Sequence, residues 1–378
     1  MKNNAEIHIV SFTIPYPADY GGVIDVFYKI KALYELGVKI NLHCFQYDRT
    51  ESEELKKYCK SVLYYHRPKR PRYFLSKIPF IVLTRSNNKL LDKLKQDDHP
   101  ILFEGLHTTF HLQRLISKSR TIVVRMHNVE HNYYSNLVKK EKNFFRKIFF
   151  KSEALKLKKY EKILKSDIKV AGITNKDCAH FKDYNKNIFL VEAFHANNGI
   201  EVLKGKGEYI LFHGNLSVHE NIEAAKFIIK RVCPYIDFKF VIAGKNPAPE
   251  LFKLSKIRSN VEIIPDPSDF EMKGLIQKAQ VNLLISFQDT GVKLKLINAL
   301  FKGRHCIVNS MIIGGSGLES LCHIVDMENE IISKLNELIK VDFTIEEINK
   351  REESLLKNVN NKLGAQKLIN LLVKNHSI

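Results

Sequence analysis

The sequence lacks three features that would each assign it to a large class of proteins. No stretch of its 378 residues approaches the ~18–20 apolar residues that a membrane-spanning helix needs. Its six cysteines form no C-x-x-C pair, which makes a zinc site unexpected, and their scattered, apolar surroundings are typical of reduced thiols in a cytoplasmic protein. Because the first residues lead straight into a predicted strand, no signal peptide is expected. We therefore predict a cytoplasmic protein, either soluble or peripheral to a membrane.

Negative charge is also scarce, since 60 Lys and Arg residues outnumber 41 Asp and Glu residues for a formal charge of +19. Such an excess favours partners that carry phosphate: nucleic acid, an anionic membrane surface or a phosphorylated substrate. Nucleic acid is disfavoured because the sequence contains no helix-turn-helix, no RNA-binding strand motif and no clustered zinc ligands. The excess is concentrated in residues 139–165, which hold eleven Lys or Arg residues and three acids.

The aromatic and cationic stretch 144–150 within this segment is typical of an interfacial membrane contact. Apolar residues recur at helical spacing along the segment, at Phe145, Phe149, Ala154, Leu157 and Leu164. A helix with a core-facing stripe and a charged outer face therefore explains the pattern equally well.

The chain exceeds the size of one comfortable core, so two domains are expected. Apolar runs alternate with helical patterns, which predicts parallel sheets with flanking helices. A polar stretch between residues 194 and 207 divides two such series. The strands of the first series are predicted at 7–12, 38–44, 61–65, 100–103, 121–126, 168–173 and 188–191. Those of the second series are predicted at 209–213, 238–243, 261–264, 281–285 and 305–308.

These series predict an N-terminal domain over residues 1–195 and a C-terminal domain over 196–355. A final helix over 356–378 is a candidate to pack back on the N-terminal domain. In open parallel sheets, ligands collect outside the carboxyl ends of the strands. Polar residues and glycines that follow predicted strands are therefore the candidates for a site.

Two such groups occur in the N-terminal half. Gly21 and Gly22 lie where the loop after the first strand meets a helix, a place where backbone can approach a ligand closely. His127, Asn128, Glu130 and His131 follow the strand at 121–126 and form a candidate polar site. Helix capping by Asn128 and solvent-exposed histidines are the alternative interpretation of the second group.

In the C-terminal half, the apolar run 281–285 is followed by a polar loop, Gly291 and a helical segment with Lys293 and Lys295 in its first turn. A helix N-terminus presents backbone N–H groups and a positive dipole to an anion, and two lysines add full charge. This arrangement favours a diphosphate ligand. An ordinary strand–loop–helix corner with solvated lysines is the alternative.

Together these segments resemble the GT-B glycosyltransferases, specifically the glycosyltransferase family 4 group. The resemblance spans most of the chain and rests on segments that occur in the family's order. They are Pro17 with Gly21 and Gly22, the segments 125–130, 210–216, 242–247 and 291–303, and the turn Gly317–Leu318. The resemblance implies an α/β protein with the GT-B fold, in which two Rossmann-like, doubly wound parallel-sheet domains face each other across a cleft.

The resemblance also implies an activity. It implies a hexosyltransferase-type glycosyltransferase that uses a nucleotide-diphosphate sugar as donor and a glycan or polyprenyl-diphosphate-linked acceptor, in surface polysaccharide or glycoconjugate biosynthesis. The reaction would be retaining and would need no metal or other cofactor. An anionic membrane surface, reached through residues 139–165 on the inner face of the cell membrane, is a further partner. A metal-dependent GT-A transferase is disfavoured because no plausible Asp-x-Asp follows a strand.

Carried onto this sequence residue by residue, the resemblance assigns the site. The residues with catalytic roles would be His127, Lys295 and Asp289. Those that bind the donor would be Gly21, Gly22, Gly214, Asn215, Lys245, Thr290, Gly291, Val292, Lys293 and Asn298. Those on the acceptor side would be Asp19, Asn128 and Glu130. If the reaction were instead inverting, its base would be His127, Glu130 or Asp19.

The sequence departs from the family at four of these contacts. Thr290 and Asn298 stand where the family commonly has the two glutamates of a Glu-x7-Glu motif. Asn215 and Asn221 stand where it has an arginine and a lysine. Because neutral side chains replace charged ones, a second hypothesis stays open: a non-catalytic GT-B protein that acts as a binding or partner subunit.

Overall fold

A computed structural model of the protein describes residues 5–165, 168–287 and 294–373. The described chain divides into two compact units. The first contains residues 5–196 and 359–373, and the second contains the described residues from 197 to 358. Each unit has one sheet with buried apolar clusters on both of its faces.

The sheet of the first unit has seven strands, and all its pairings are parallel. They are β1 (Glu6–Ser11), β2 (Lys39–Gln46), β3 (Ser61–His66), β4 (Ile101–Glu104), β5 (Ile122–Met126), β6 (Lys169–Gly172) and β7 (Ile188–Leu190). Their order is β3-β2-β1-β4-β5-β6-β7, so the sheet changes its direction of growth between β1 and β4. Open sheets of this kind bind ligands at the carboxyl ends of the strands beside such a switch point.

Helices cover both faces of this sheet. They are α1 (Gly21–Glu35), α2 (Phe80–Leu83), α3 (Asn88–Leu94), α4 (Glu130–Lys140), α5 (Phe144–Tyr160) and α6 (Asn175–Lys182), with 3-10 turns at Glu53–Lys57, Pro71–Leu75, Leu106–Arg114 and Glu161–Ile163. In α1 the apolar residues Val26, Ile30 and Leu33 recur at helical spacing and are buried, which directs this face toward the sheet. Gly37, at φ 87°, follows the helix in the left-handed conformation that commonly ends one.

The second unit contains a six-stranded sheet with only parallel pairings, in the order β10-β9-β8-β11-β12-β13. Its strands are β8 (Ile210–His213), β9 (Phe240–Gly244), β10 (Val261–Pro265), β11 (Val281–Leu284), β12 (His305–Val308) and β13 (His323–Ile324). Its α-helices are α7 (His219–Phe227), α8 (Pro249–Ser255), α9 (Asp269–Lys278), α10 (Leu294–Lys302), α11 (Ser310–Ile313), α12 (Glu328–Leu338) and α13 (Ile345–Asn358). A π-helical turn at Ile228–Val232 and 3-10 turns at Cys233–Tyr235 and Glu319–Leu321 complete it.

The last described helix, α14 (Asn361–Leu372), belongs to the first unit. Leu368 and Leu372 join the same buried cluster as residues of α1. Lys169 of β6 also donates a hydrogen bond to the carbonyl of Leu371 at 2.6 Å. Among the described residues, no helix is both long and apolar enough to cross a membrane.

The prediction of two α/β units with parallel sheets is confirmed, and every predicted strand is present to within two residues at each end. The sequence interpretation missed β13, because two residues are too few to form a recognisable apolar run. The prediction of one helix over 139–165 with a single core-facing apolar stripe is wrong for the first half of this segment. The helices break between Lys140 and Phe144, and Phe145 is 79% exposed, whereas Ala154, Leu157 and Leu164 are buried.

A buried hydrogen-bonded chain ties together three strands of the first unit. His8 Nδ1 of β1 lies 2.9 Å from His43 Nε2 of β2, and His43 Nδ1 lies 2.8 Å from the hydroxyl of Tyr65 in β3. His8 Nε2 lies 2.9 Å from a carboxylate oxygen of Asp97. Burial, together with the neighbouring charge of His8, lowers the pKa of His43 to about 3.

We expect His43 to make stability depend on pH. In the unfolded chain a histidine titrates near pH 6.5, so between about pH 6.5 and 3 the unfolded state binds the proton more readily than the folded state. The free energy of unfolding should therefore fall as the pH falls through this range, by at most about 1.4 kcal/mol per pH unit from this residue. Urea unfolding measured at several pH values tests the slope. It should be shallower in His43→Gln and unchanged in His66→Gln, a control at an exposed position; equal slopes in both variants would contradict the assignment.

Close contact of two strands in the second unit depends on Gly244. A Cβ atom at this position would lie 1.7 Å from the carbonyl oxygen of Gly214, a backbone atom that cannot swing aside. Gly244→Ala should therefore lower the free energy of unfolding by about 3 kcal/mol or more. The control Gly274→Ala adds a Cβ with nothing within 4 Å, in helix α9, and should raise it by ~0.5–1 kcal/mol. Urea midpoints that are the same for both variants would show that the strands are not so close.

Candidate functional site

A buried ionic cluster lies at the carboxyl ends of the central strands of the first unit. Asp25 and Lys29 are four residues apart on α1, so both point from the same helix face toward the sheet. Glu104 is the last residue of β4, and Arg125 precedes the last residue of β5. All four side chains are at most 3% exposed.

The four side chains satisfy one another. Lys29 Nζ lies 2.9 Å from a carboxylate oxygen of Asp25 and 2.7 Å from each oxygen of Glu104. Arg125 Nη2 lies 3.0 Å from the other oxygen of Asp25, which also accepts the backbone N–H of Phe194 at 2.8 Å. Two cations therefore balance two anions in a dry environment, the condition under which burial of charge is tolerated.

Both carboxyl groups are ionised because of these partners. Burial by itself would raise the pKa of Asp25, but the charges of Arg125 and Lys29 lower it below its ordinary value. Burial likewise favours the protonated form of Glu104. The charges of Lys29 and His127 together outweigh burial, so the pKa of Glu104 is lowered. Each carboxylate can then act as a fixed acceptor at neutral pH.

His127 follows β5 and is anchored by this cluster. Its Nε2 lies 2.8 Å from Glu104 Oε2, and its Nδ1 lies 3.8 Å from Asp25 Oδ2. The ring of Phe12 contacts it edge-on at 5.5 Å between centroids. Since the side chain is 9% exposed, one edge of a rigidly held imidazole reaches the surface at the carboxyl end of the sheet.

Next to His127 is a second polar group, formed by His107, Glu130 and Arg85. His107 Nε2 lies 3.9 Å from Glu130 Oε2, and the tilted ring of Phe12 lies 5.6 Å from the His107 ring between centroids. Burial, reinforced by the charge of Glu161, raises the pKa of Glu130 to about 8. Burial and the neighbouring Arg85 hold the pKa of His107 well below its usual range. At neutral pH Glu130 and His107 are therefore an uncharged carboxylic acid and a neutral imidazole, both of which can hydrogen-bond a hydroxyl.

The other predicted residues of the first unit lie at the same edge of the sheet. Gly21 and Gly22 begin α1, and a Cβ on Gly22 would lie 2.9 Å from the ring of Phe12. Asn128 is half-buried and does not cap α4, since the cap residue is Val129 and the backbone N–H of His131 in the first turn is bonded by Glu161 instead. The capping alternative for Asn128 is therefore wrong.

Asp19 has a cationic partner. Its carboxylate forms an ion pair with Arg49, and Arg49 also donates a hydrogen bond to the carbonyl of Pro17 at 2.6 Å. Arg49 further stacks on the ring of Tyr20 at 5.1 Å. Arg49 thus occupies the carboxylate of Asp19 in this structure.

In the second unit, the predicted residues after β8 and β9 form tight turns. The amide oxygen of Asn215 accepts the backbone N–H of Ser217 at 3.0 Å, so Asn215 stabilises the turn after β8. A Cβ on Gly214 would lie 3.1 Å from the side chain of Asn221. Lys245, which follows β9, is exposed.

Lys295, the second residue of α10, approaches the turn after β8. Its Nζ lies 3.3 Å from Asn221 Oδ1 and 5.2 Å from the ring centroid of Phe212. Asn221 in turn donates its amide N–H to the carbonyl of Asn215 at 2.9 Å. Burial, with a contribution from Lys295, lowers the pKa of the adjacent His213 to about 3. The structure thus brings together Lys295, Asn215 and Asn221, three residues that the sequence comparison had singled out separately.

Asn298, one turn further along α10, already has a partner. Its Oδ1 lies 3.0 Å from the amide nitrogen of Asn197, whose own oxygen accepts from Lys302 Nζ at 2.5 Å. The predicted residues Asp289, Thr290, Gly291, Val292 and Lys293 lie outside the described residues.

Asp25, Glu104 and His127 present ligand atoms close enough to surround a metal ion. Their chemistry does not fit one, because the ammonium group of Lys29 and the guanidinium group of Arg125 already bind the two carboxylates and would repel a further cation.

Sequence reasoning missed five residues that organise this edge, namely Asp25, Lys29, Arg85, Glu104 and His107. A signal existed for one pair only: Asp25 and Lys29 are charged residues on the apolar face of α1 at a spacing of four. Glu104 and His107 follow a predicted strand as His127 does, but nothing in the sequence marks their burial.

Comparison with known proteins adds information on the fold. No family model matches the sequence. A relative from Klebsiella pneumoniae, named an uncharacterized 44.6 kDa protein in the cps region, is 26% identical over 348 residues, which cover 87% of this chain and 89% of the relative.

Solved glycosyltransferases share the architecture. A mutant of S. aureus TarM, solved with Fondaparinux, alpha-GlcNAc-glycerol and UDP, aligns with a TM-score of 0.66 and 13% identity over 97% of this chain and 99% of its own. WaaG, a glycosyltransferase involved in lipopolysaccharide biosynthesis, aligns with a TM-score of 0.63 and 11% identity over 97% of this chain and all of its own. With its two parallel-sheet units, this chain has the GT-B glycosyltransferase fold.

Proposed function

We propose that the protein is a glycosyltransferase that moves a sugar from a nucleotide-diphosphate sugar to a glycan or lipid-linked acceptor in surface polysaccharide or glycoconjugate biosynthesis. The observation that carries the proposal is His127, held by buried carboxylates at the carboxyl edge of a sheet in a GT-B fold. The neighbours support it: one was solved with UDP, another is involved in lipopolysaccharide biosynthesis, and the relative is encoded in a cps region.

On the donor side, Lys295 is proposed to neutralise the diphosphate. Its ammonium group lies near the N-terminus of α10, where the helix dipole also favours an anion. The turn formed by Gly214 and Asn215 supplies backbone close to the same place. In this proposal fixed positive charge stabilises the leaving group without a metal.

On the acceptor side, His127, Glu130 and Asn128 are proposed to position the sugar and the attacking hydroxyl. Glu130 is protonated at neutral pH and can donate a hydrogen bond, which suits positioning better than proton removal. This favours a retaining course, in which the acceptor hydroxyl attacks from the side of the leaving group. Its proton passes to the departing diphosphate oxygen while the bond from the anomeric carbon to that oxygen breaks, so no protein nucleophile is needed.

Removal of the lysine charge tests the donor site. Lys295→Ala should reduce transfer or hydrolysis of the UDP- or GDP-sugar that the wild type uses by about 100-fold or more, because the developing charge on the diphosphate loses its fixed cation. Turnover should be measured by release of the nucleoside diphosphate. Lys278→Ala, which removes an exposed lysine from the last turn of α9, is the matched control and should retain full activity.

Equal activity in the two lysine variants would remove Lys295 from the site. If UDP, GDP and ADP all fail to raise the melting temperature of the wild type, the replacement of the family's charged residues by Asn215, Asn221 and Asn298 would point instead to a partner subunit without catalysis.

We further propose that α5 rests on an anionic membrane surface, where a lipid-linked acceptor would be located. Phe144, Ile148 and Leu155 recur along one side of the helix and are 69%, 51% and 58% exposed. Exposed cations, including Lys147 and Lys151, flank this stripe. Apolar side chains between lysines are typical of helices that lie in a membrane interface.

Binding to vesicles tests the membrane contact. The double variant Phe144→Ser/Phe145→Ser should bind vesicles of anionic phospholipid several-fold more weakly than the wild type in a sedimentation assay, because less apolar surface is buried in the interface. Phe270→Ser, at an 85% exposed position of the second unit, is the control and should bind like the wild type. Equal loss in the control, or no binding by the wild type, would contradict the proposal.

A further inference from the structure

We propose that His131, Glu161 and His180 form a binding site for one divalent transition-metal ion of the Zn²⁺ type. His131 is the second residue of α4, Glu161 begins the 3-10 turn that follows α5, and His180 lies in α6. Although 30 and 19 residues separate them along the chain, their side chains meet in the first unit. The proposal is independent of sugar transfer.

The ligand atoms have nearly the spacing that a metal requires. His131 Nδ1 lies 2.8 Å and His180 Nε2 lies 3.3 Å from the same oxygen of Glu161, and the three ligand atoms lie within 4.8 Å of one another. Ligands of a tetrahedral zinc ion, each at ~2.0–2.1 Å from it, are about 3.4 Å apart. Shifts of each imidazole by no more than about 1 Å would therefore complete the coordination.

The donor set also has the right chemistry. Two imidazoles and one carboxylate favour zinc and its neighbours among the transition metals, whereas magnesium and calcium prefer oxygen ligands alone. This cluster differs from Asp25, Glu104 and His127 in one decisive respect. Among the described residues, the ion-pair partners of Glu161 are the two histidines, so no lysine or arginine occupies the position of the ion.

The surroundings leave one coordination position open. The side chain of Glu161 is 2% exposed, that of His131 is 11% and that of His180 is 28%, so an ion could enter past His180. Beside it, the buried hydroxyl of Tyr184 has no hydrogen-bond partner among the described residues, and its ring lies 6.1 Å from that of His180. A water molecule in the fourth position of the ion could hydrogen-bond to this hydroxyl.

Metal binding here would add a further link between three helical segments that already meet at Glu161. Because the folded protein alone presents the three ligands together, the ion should stabilise the fold by mass action. Activity is not needed to detect it.

Zinc titration of the full-length, chelator-treated protein tests the site, with a chromophoric chelator as competitor. The wild type should bind one Zn²⁺ more tightly than any further equivalents. His180→Gln and His131→Gln should each weaken this site about tenfold or more. His219→Gln, at an exposed histidine of the second unit, is the matched control and should bind like the wild type.

Thermal unfolding provides the second readout and detects variants that fail to fold. Saturating Zn²⁺ should raise the melting temperature of the wild type and of His219→Gln but not of His180→Gln, whose metal-free melting temperature shows whether it is folded. Saturating Mg²⁺ should leave all three unchanged. Equal zinc affinity and equal zinc-induced stabilisation in wild type and His180→Gln would overturn the proposal, as would a wild type that binds no Zn²⁺.

Discussion

The ion pairs of Lys29 with Asp25 and Glu104 are the constraint on which the first unit's site depends. An ammonium group that is fully buried is stable only while both carboxylates remain beside it, and removal of one partner from such a set commonly costs about 3–5 kcal/mol. The pairs join α1 to the end of β4, and Arg125 extends them to β5 and to the backbone of Val191 and Glu192 after β7. Helix α1, strands β4 and β5 and the segment after β7 are thereby fixed in one arrangement, and β4 lies beside the switch point of the sheet.

The same ions decide the chemical character of neighbouring groups. Glu104 is ionised because Lys29 and His127 compensate its burial, and it can therefore orient the His127 ring. Glu130 is also buried, but Glu161 adds negative charge and the charge of Arg85 offsets only part of these effects, so Glu130 keeps its proton at neutral pH. Two glutamates at one edge of a sheet thus become an acceptor and a donor of hydrogen bonds.

Much of the fold could be predicted from the sequence, because buried parallel strands form continuous apolar runs and the polar stretch between residues 194 and 207 separates two series of them. The same strand pattern predicted that His127 lies at the carboxyl ends of the strands, because it directly follows the apolar run that forms β5. The partners of His127 could not be predicted, since Glu104 and Asp25 are 23 and 102 residues away and only the three-dimensional pairing of charges identifies them. For the same reason, the meeting of His131 and His180 on Glu161 has no signal in the sequence.

The asparagines of the second unit position a cation by a neutral hydrogen bond, whereas the buried cations of the first unit are held by ion pairs. A lysine at position 221 would repel Lys295, whereas the amide oxygen of Asn221 accepts a hydrogen bond from it and directs its ammonium group toward the turn at Asn215. In the proposed donor site, an amide at position 221 therefore leaves the positive charge to one positioned lysine, Lys295. A diphosphate carries more negative charge than one lysine can neutralise, so a donor bound here would also draw on the dipole of α10 and on exposed surface cations such as Lys245. Binding of such a donor should then weaken with ionic strength more steeply than it would at a site lined by buried cations, which salt screens less.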